Sequence, residues 1–288
     1  MEQKDTIRPT TSAHSLIPEQ EEVCPICGGS GWASKIDEYG NEVYVDCSCG
    51  VREKSILDGK LRFAAIPDAF RDLRLYQFDL NIYRDSRSRK LIGVAYDCIR
   101  CWLDDFPAMQ RARMGLYIFS GTKGSGKTRI AASIANELIH LYGTSVKFST
   151  SMQIINEIKK SWDRESEISE SRLLDDLARA EVLMIDDFGT EKLEAVRGKR
   201  WLDDRFYQII NERYQNKKVT IFTSNYSLDE LPYDDRLTSR IKEMAYQIPF
   251  PEESVREYLS EKNMNDLMKR VTEFRERKAE QMSIEDMI

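Results

Sequence analysis

The chain has 288 residues, 41% apolar and 32% charged, with a formal net charge of −6, which suits one good-sized domain plus a small appendage. That balance excludes a uniformly basic nucleic-acid coat, though not a local basic patch. No apolar run approaches the roughly 20 residues of a membrane helix, and Met1 to Glu22 lacks the features of a secretory leader, so a cytoplasmic protein without a membrane partner is expected.

Residues 1–22 are polar, with little apolar periodicity, and read as a flexible tail. Residues 23–55 read as a small metal-binding module. Cys24-Pro25-Ile26-Cys27 and Cys47-Ser48-Cys49 form a CxxC and a CxC separated by nineteen residues. In a reducing compartment such pairs point to metal rather than disulfides. Two close pairs on glycine-rich turns can present four thiolates tetrahedrally to Zn²⁺, with Trp32 to Val45 as a small hairpin over it. In a segment so poor in core residues the metal would contribute much of the folding energy. Four cysteines leave no open coordination position, so a structural site holding a partner-gripping module is expected. Direct DNA contact through Lys35, Arg52 and Lys54 is the competing role.

Residues 56–114 read as a linker and the first helices of the next domain, with Leu91, Ala95, Cys98 and Trp102 on one helical face. Cys98 and Cys101 fall on this helix and read as buried cysteines, with metal or redox use as the alternative.

From Gly115 a regular pattern sets in. Leu116 to Phe119, Val146 to Phe148, Val182 to Ile185 and Val219 to Phe222 are short apolar strands. Between them lie a helix after Lys127 carrying Ile130, Ile134, Leu138 and Leu141, a helix over 151–162, an exposed loop over 163–171 and a helix over about 197–215. The last of these turns Leu202, Phe206, Ile210 and Tyr214 inward. Short strands alternating with longer helices predict an α/β fold with a parallel sheet covered on both faces, spanning 115–257. Residues 258–288 form a charged helix with Met264, Leu267, Val271 and Phe274 at three-four spacing. Two heptads are too few for a coiled coil, so packing against the body is expected, with a partner helix as the alternative.

Residues Gly121-Thr122-Lys123-Gly124-Ser125-Gly126-Lys127-Thr128 fit G-x-x-x-x-G-K-[ST] in full, with the required strand before and helix after. The glycines let backbone amides wrap a phosphate, and the helix N-terminus adds its positive end. Lys127 is expected at the β- and γ-phosphates of ATP, and the Thr128 hydroxyl on Mg²⁺. Four apolar residues run into Asp186-Asp187, as a buried strand delivering carboxylates to the phosphate loop would. Asp186 is expected to hold Mg²⁺ and Asp187 to polarise the attacking water. Asn225 follows the next strand, where a polar side chain can orient that water; turning the chain is its alternative role.

This combination resembles the AAA+ family, in which these segments are the Walker A, Walker B and sensor 1 elements. Asp235-Arg236-Leu237-Thr238-Ser239-Arg240 resembles the box VII segment of its initiator and helicase-loader branch. The resemblance implies that Arg240 completes a neighbouring subunit's ATP site, supported by Arg236, and hence that the chain self-associates. A pair of arginines forming only salt bridges is the alternative. Ile66-Pro67 with its following aromatics, Tyr117 to Gly121, Val182 to Gly189 and Phe222 to Asn225 narrow the resemblance to DnaC/DnaI-type helicase loaders and IstB-type transposition ATPases, over about 60–257. A lid of several helices does not fit after Arg240, and Arg256 is the candidate substitute for its sensor 2 arginine.

The resemblance implies Mg²⁺-dependent ATP hydrolysis in DNA replication, with a replicative helicase and single-stranded DNA as partners. Delivery of a transposase on duplex DNA, or a nucleotide switch without turnover, are the other readings. Loaders of the DnaI type carry an N-terminal zinc domain, although with a histidine among its ligands. Lys159, Lys160, Trp162 and Phe148 offer cations and aromatics for a single strand, or a solvated helix end with a packed tryptophan.

Overall fold

The computed structural model describes residues 23–163, 169–191 and 199–285. The tail over 1–22 lies outside them, as does much of the loop expected over 163–171. The chain divides into two compact units, Met1–Ile56 and Leu57–Ile288.

In the first unit, β1 (Trp32–Ile36) and β2 (Glu42–Asp46) pair antiparallel, with Trp32 opposite Asp46. The hairpin turn is closed by Asp37, whose Oδ1 accepts from the Tyr39 and Asn41 amides at 2.9 and 2.8 Å. Among the described residues of this unit Cys47 is the one buried hydrophobic side chain, so its strands lie on almost no apolar core. Helix α1 begins at Val51 and runs to Ala64. Arg52 lies 3.7 Å over the Trp32 ring and pairs with Asp46, so this proposed DNA contact is already engaged within the unit.

The second unit is built on a five-stranded sheet in the order β4-β5-β6-β3-β7, parallel throughout. The strands are β3 (Gly115–Phe119), β4 (Val146–Thr150), β5 (Val182–Phe188), β6 (Val219–Ser224) and β7 (Ala245–Pro249). Successive residues face opposite sides and both sides are buried, which is why these strands read as unbroken apolar runs. Leu116, Ile118, Met184 and Ile221 pack under α2 (Ser86–Asp104), α3 (Phe106–Ala112) and α4 (Lys127–Tyr142). Tyr117, Leu183, Ile185 and Phe222 join the core of the other face, with residues of α5 (Ser151–Lys160), α6 (Glu170–Arg179), α7 (Lys199–Gln215) and α8 (Asp235–Met244). Helix α9 (Val255–Glu285) follows β7.

Several expectations are corrected. The buried face of α2 is Ile92, Ala95, Ile99, Trp102 and Leu103, and Cys98 and Cys101 are exposed. The apolar stripe is set by the isoleucines, which leaves both thiols outside it. Helix α6 begins inside the segment expected to be an exposed loop. Met264, Leu267 and Phe274 on α9 are exposed rather than packed on the body. A 31-residue helix is about 46 Å long, far more than the roughly 16 Å of a five-residue strand. Phe148 is buried and unavailable for base stacking, while Trp162 packs edge-on against Trp201 at 5.2 Å.

Candidate active site

Strand β3 lies between β6 and β7, yet the helix that follows it crosses to β4 at the far edge. That reversal opens a crevice at the carboxyl ends of the strands, where ligands of open α/β sheets bind. The glycine loop leaves β3 into this crevice. Gly124 and Gly126 have φ of +80° and +99°, conformations that side chains rarely adopt, and there is no room for any. A Cβ on Gly124 would stand 2.8 Å from the Arg256 Cβ, and one on Gly126 3.1 Å from the Tyr83 hydroxyl. Helix α4 then starts at Lys127 with Gly126 as its cap, directing its free amides at the loop.

Lys127 is almost fully buried, and its ammonium donates to the Ser120 and Thr122 carbonyls at 3.1 and 3.0 Å and to Ser125 Oγ at 3.2 Å. Burial lowers its pKa, against the carboxylates of Asp187, Glu252 and Asp186. Glu252 accepts from the Gly121 amide at 2.8 Å and the Thr122 hydroxyl at 2.7 Å, clamping the front of the loop.

Asp186 and Asp187 occupy a β-bulge. Ile185 pairs with Phe222 and Phe188 with Ser224, so two aspartates stand against Thr223 alone. Such a bulge bends the strand and re-aims its side chains. Thr223 Oγ1 donates to Asp186 Oδ1 and accepts the Asp187 amide at 3.0 Å. Thr128 Oγ1 stands 3.0 and 3.1 Å from the two Asp186 oxygens. Burial pushes the Asp186 carboxyl up to about 6; the Thr223 and Thr128 hydroxyls act against that, and the Asp187 charge adds to it. Asp187 has a φ of +55°, and its carbonyl accepts from the Thr190 hydroxyl at 2.8 Å, with Ser151 Oγ 3.0 Å away.

The family model for the IstB-like ATP binding protein matches residues 42–242. The chain belongs to this family. It is 27% identical over 211 residues to the phage-like element PBSX protein XkdC of Bacillus subtilis, covering 73% of this chain and 75% of that one. Over 115 residues it is 36% identical to the replicative helicase loader DnaC of Escherichia coli K12, a match spanning 40% of this chain and 44% of the loader. In fold it is similar to the crystal structure of DnaI, with a TM-score of 0.50 at 24% identity, covering 68% of this chain and 99% of that one. The sheet flanked by helices is the AAA+ architecture of this group.

In this IstB-like chain a cavity of about 730 Å³ is lined by residues 123–129, Asp187 and Asn225. The size suits a small-molecule ligand. Apolar side chains complete the lining, Phe78, Ile82 and Tyr83 beside the glycine loop and Val255 and Leu259 from the start of α9, together with Asp79 and Asn263. These residues escaped the sequence reading. The aromatics after Ile66-Pro67 were the available signal, but nothing local ties them to a loop forty residues on. Tyr83 donates to the Ser125 carbonyl at 2.6 Å, and Glu253 accepts the Arg84 amide at 2.6 Å, so both walls are fastened to each other and to the loop. Arg256, the candidate sensor 2 substitute, lines the cavity.

The structure does not bring Arg236 or Arg240 into this cavity. Arg240 lies 4.0 Å over the Tyr214 ring and 3.2 Å from Glu243, and Arg236 pairs with Asp234 at 2.7 Å and lies over Tyr207.

The four cysteines Cys24, Cys27, Cys47 and Cys49 are brought together, all sulfurs within 4.8 Å of one another. The Cys24–Cys47 and Cys27–Cys49 separations are 3.8 and 3.6 Å. Tetrahedral Zn²⁺ with bonds of about 2.3 Å sets sulfurs ~3.8 Å apart, so the donor set and its spacing fit a structural zinc. Among the described residues no helix is long and apolar enough to cross a membrane.

Proposed function

We propose that this chain is a Mg²⁺-dependent ATPase that loads a replicative helicase, working as an assembly of like subunits on single-stranded DNA. The observation that carries the enzymatic part is the meeting of Thr128 and Asp186, 3.0 Å apart beside a glycine loop whose lysine is already turned inward. The amides of residues 123–128 and the N-terminus of α4 would bind the phosphates, and Lys127 would exchange its loop carbonyls for phosphate oxygens. Thr128 and Asp186 are hard oxygen donors suited to Mg²⁺, which when bound offsets charge on the transferring phosphoryl group. Asp187 orients and deprotonates the attacking water, and Asn225 holds that water from the end of β6. Phe78, Tyr83 and Leu259 supply an apolar slot for the base. Arg240 does not line its own cavity, which suits action on a neighbour's nucleotide.

The loader role is supported by the similarity to DnaC and by the cysteine module, which we assign to partner binding. The family model favours a second reading, an ATPase that assembles on duplex DNA and delivers a transposase.

Full-length protein should hydrolyse ATP through many turnovers. Asp187→Asn should abolish turnover and leave nucleotide binding, while Lys127→Ala should abolish binding itself. Turnover surviving in Asp187→Asn would overturn the enzymatic reading. Co-purification with a replicative helicase, with no response of turnover to duplex DNA, supports the loader; the opposite pair of results supports transposase delivery.

A further inference from the structure

Glu191 is a buried carboxylate that the reaction outlined above does not use. It is only 2% exposed, and burial raises its pKa. Three uncharged donors hold it: Ser151 Oγ at 2.5 Å, the Gly189 amide at 3.1 and 3.2 Å from its two oxygens, and the Tyr233 hydroxyl. A carboxylate removed from water is costly unless its partners are all in place.

Those partners belong to three different parts of the fold. Ser151 opens α5, and its hydroxyl, with one hydrogen to give, sits between Glu191 and the Asp187 carbonyl at 3.0 Å. Gly189 is in the turn after Asp187, with a φ of +98° and a Cβ position only 3.0 Å from Leu231 and Tyr226. Tyr233 stands two residues ahead of α8, its ring stacked on Phe188 at 4.8 Å and edge-on to Phe206 at 5.7 Å. The turn that carries Asp187 is therefore keyed into the segment that leads to Arg236 and Arg240.

We infer that Glu191 is a positioning residue that holds Asp187 in its left-handed conformation and couples that turn, through Tyr233, to the arginine-bearing helix α8. The inference rests on the reading of Asp187 as the water-orienting group. A shift of α8 then moves Asp187 in the same subunit. Engagement of Arg236 and Arg240 by a neighbour is felt at the phosphate site, because both ends share one buried carboxylate.

The test uses full-length Glu191→Gln and Tyr233→Phe. Glutamine keeps one acceptor oxygen but presents donors to Gly189 and Ser151. Phenylalanine keeps both ring contacts and removes only the hydroxyl, so it remains informative if Glu191→Gln folds poorly. Hydrogen exchange is expected to rise together over Val182–Glu191 and Asp235–Met244, by about fivefold or more, with the rest of the sheet unchanged. Exchange rising in neither segment, or in the first alone, overturns the coupling. In the wild-type background turnover should fall by about tenfold or more while MgATP affinity stays within about twofold. Unchanged turnover, or affinity lost in parallel, overturns the positioning role. If the wild type itself does not turn over, the hydrolysis reading fails, and the paired exchange response alone decides whether Glu191 couples the two segments.

Discussion

The Thr223 hydroxyl donates its hydrogen to Asp186 Oδ1 while the same oxygen accepts the Asp187 amide at 3.0 Å. One side chain of β6 thus holds both aspartates of the bulge. Thr223→Val keeps the shape and loses both bonds. Because a group one shell out from a metal ligand typically contributes 10–100-fold, the Mg²⁺ concentration for half-maximal turnover should rise by about 10-fold or more. An unchanged Mg²⁺ titration would show that Asp186 needs no such support.

Arg240 rests on Tyr214 and Glu243 and does not line the cavity. If it serves a neighbour's nucleotide, Arg240→Ala subunits and Lys127→Ala subunits, each inactive alone, should regain part of the wild-type turnover when mixed. Lys127→Ala lends the arginine and Arg240→Ala lends the phosphate loop. No recovery at any ratio would place the arginine in a purely structural role.

Part of the stability lost on acidification should trace to Glu137. Its carboxylate accepts from Arg74 at 2.6 and 3.0 Å and from the Leu75 amide at 3.1 Å. Burial acts to raise its pKa, but these bonds and the Arg74 charge hold it below the usual carboxylate value. A depressed carboxylate contributes stability above its unfolded pKa and loses it as pH falls through the folded one. Urea unfolding at pH 7 should find Glu137→Gln weaker by about 1–3 kcal/mol. The gap should narrow as the pH is lowered below about 4.3, the unfolded glutamate value. A gap independent of pH would mean that packing, not charge, is lost.

Metal analysis of the full chain should find about one zinc per molecule, and chelation should unfold the β1–β2 module. Cys47 is the buried ligand, so Cys47→Ser should lose both the metal and the protease resistance of residues 23–56. A folded module without metal would refute the site.

Linear motifs carried much of this protein. Gly121 to Thr128, the apolar run into Asp186, and the paired cysteines are contiguous or close in sequence. Their chemistry follows from residue type and spacing, because a strand or helix places near neighbours at known offsets. The alternation of strands and helices likewise specified a parallel sheet. Where the reading slipped, at Cys98, Cys101 and α9, it had taken apolar spacing for burial. Spacing defines a face, but which face is covered depends on what lies beside it.

The tertiary structure decided the rest. The bulge that sets two aspartates against Thr223 depends on strand register. The apolar wall of the cavity joins Tyr83 to a loop 42 residues on, and the Arg84 amide to Glu253, 169 residues away. The link from Asp187 through Glu191 to Tyr233 crosses 42 residues between the last two. Sequence determined which groups could bind phosphate and metal, because their geometry is local. Only folding determined what holds those groups in place, because each support comes from a distant segment that packing alone brings near.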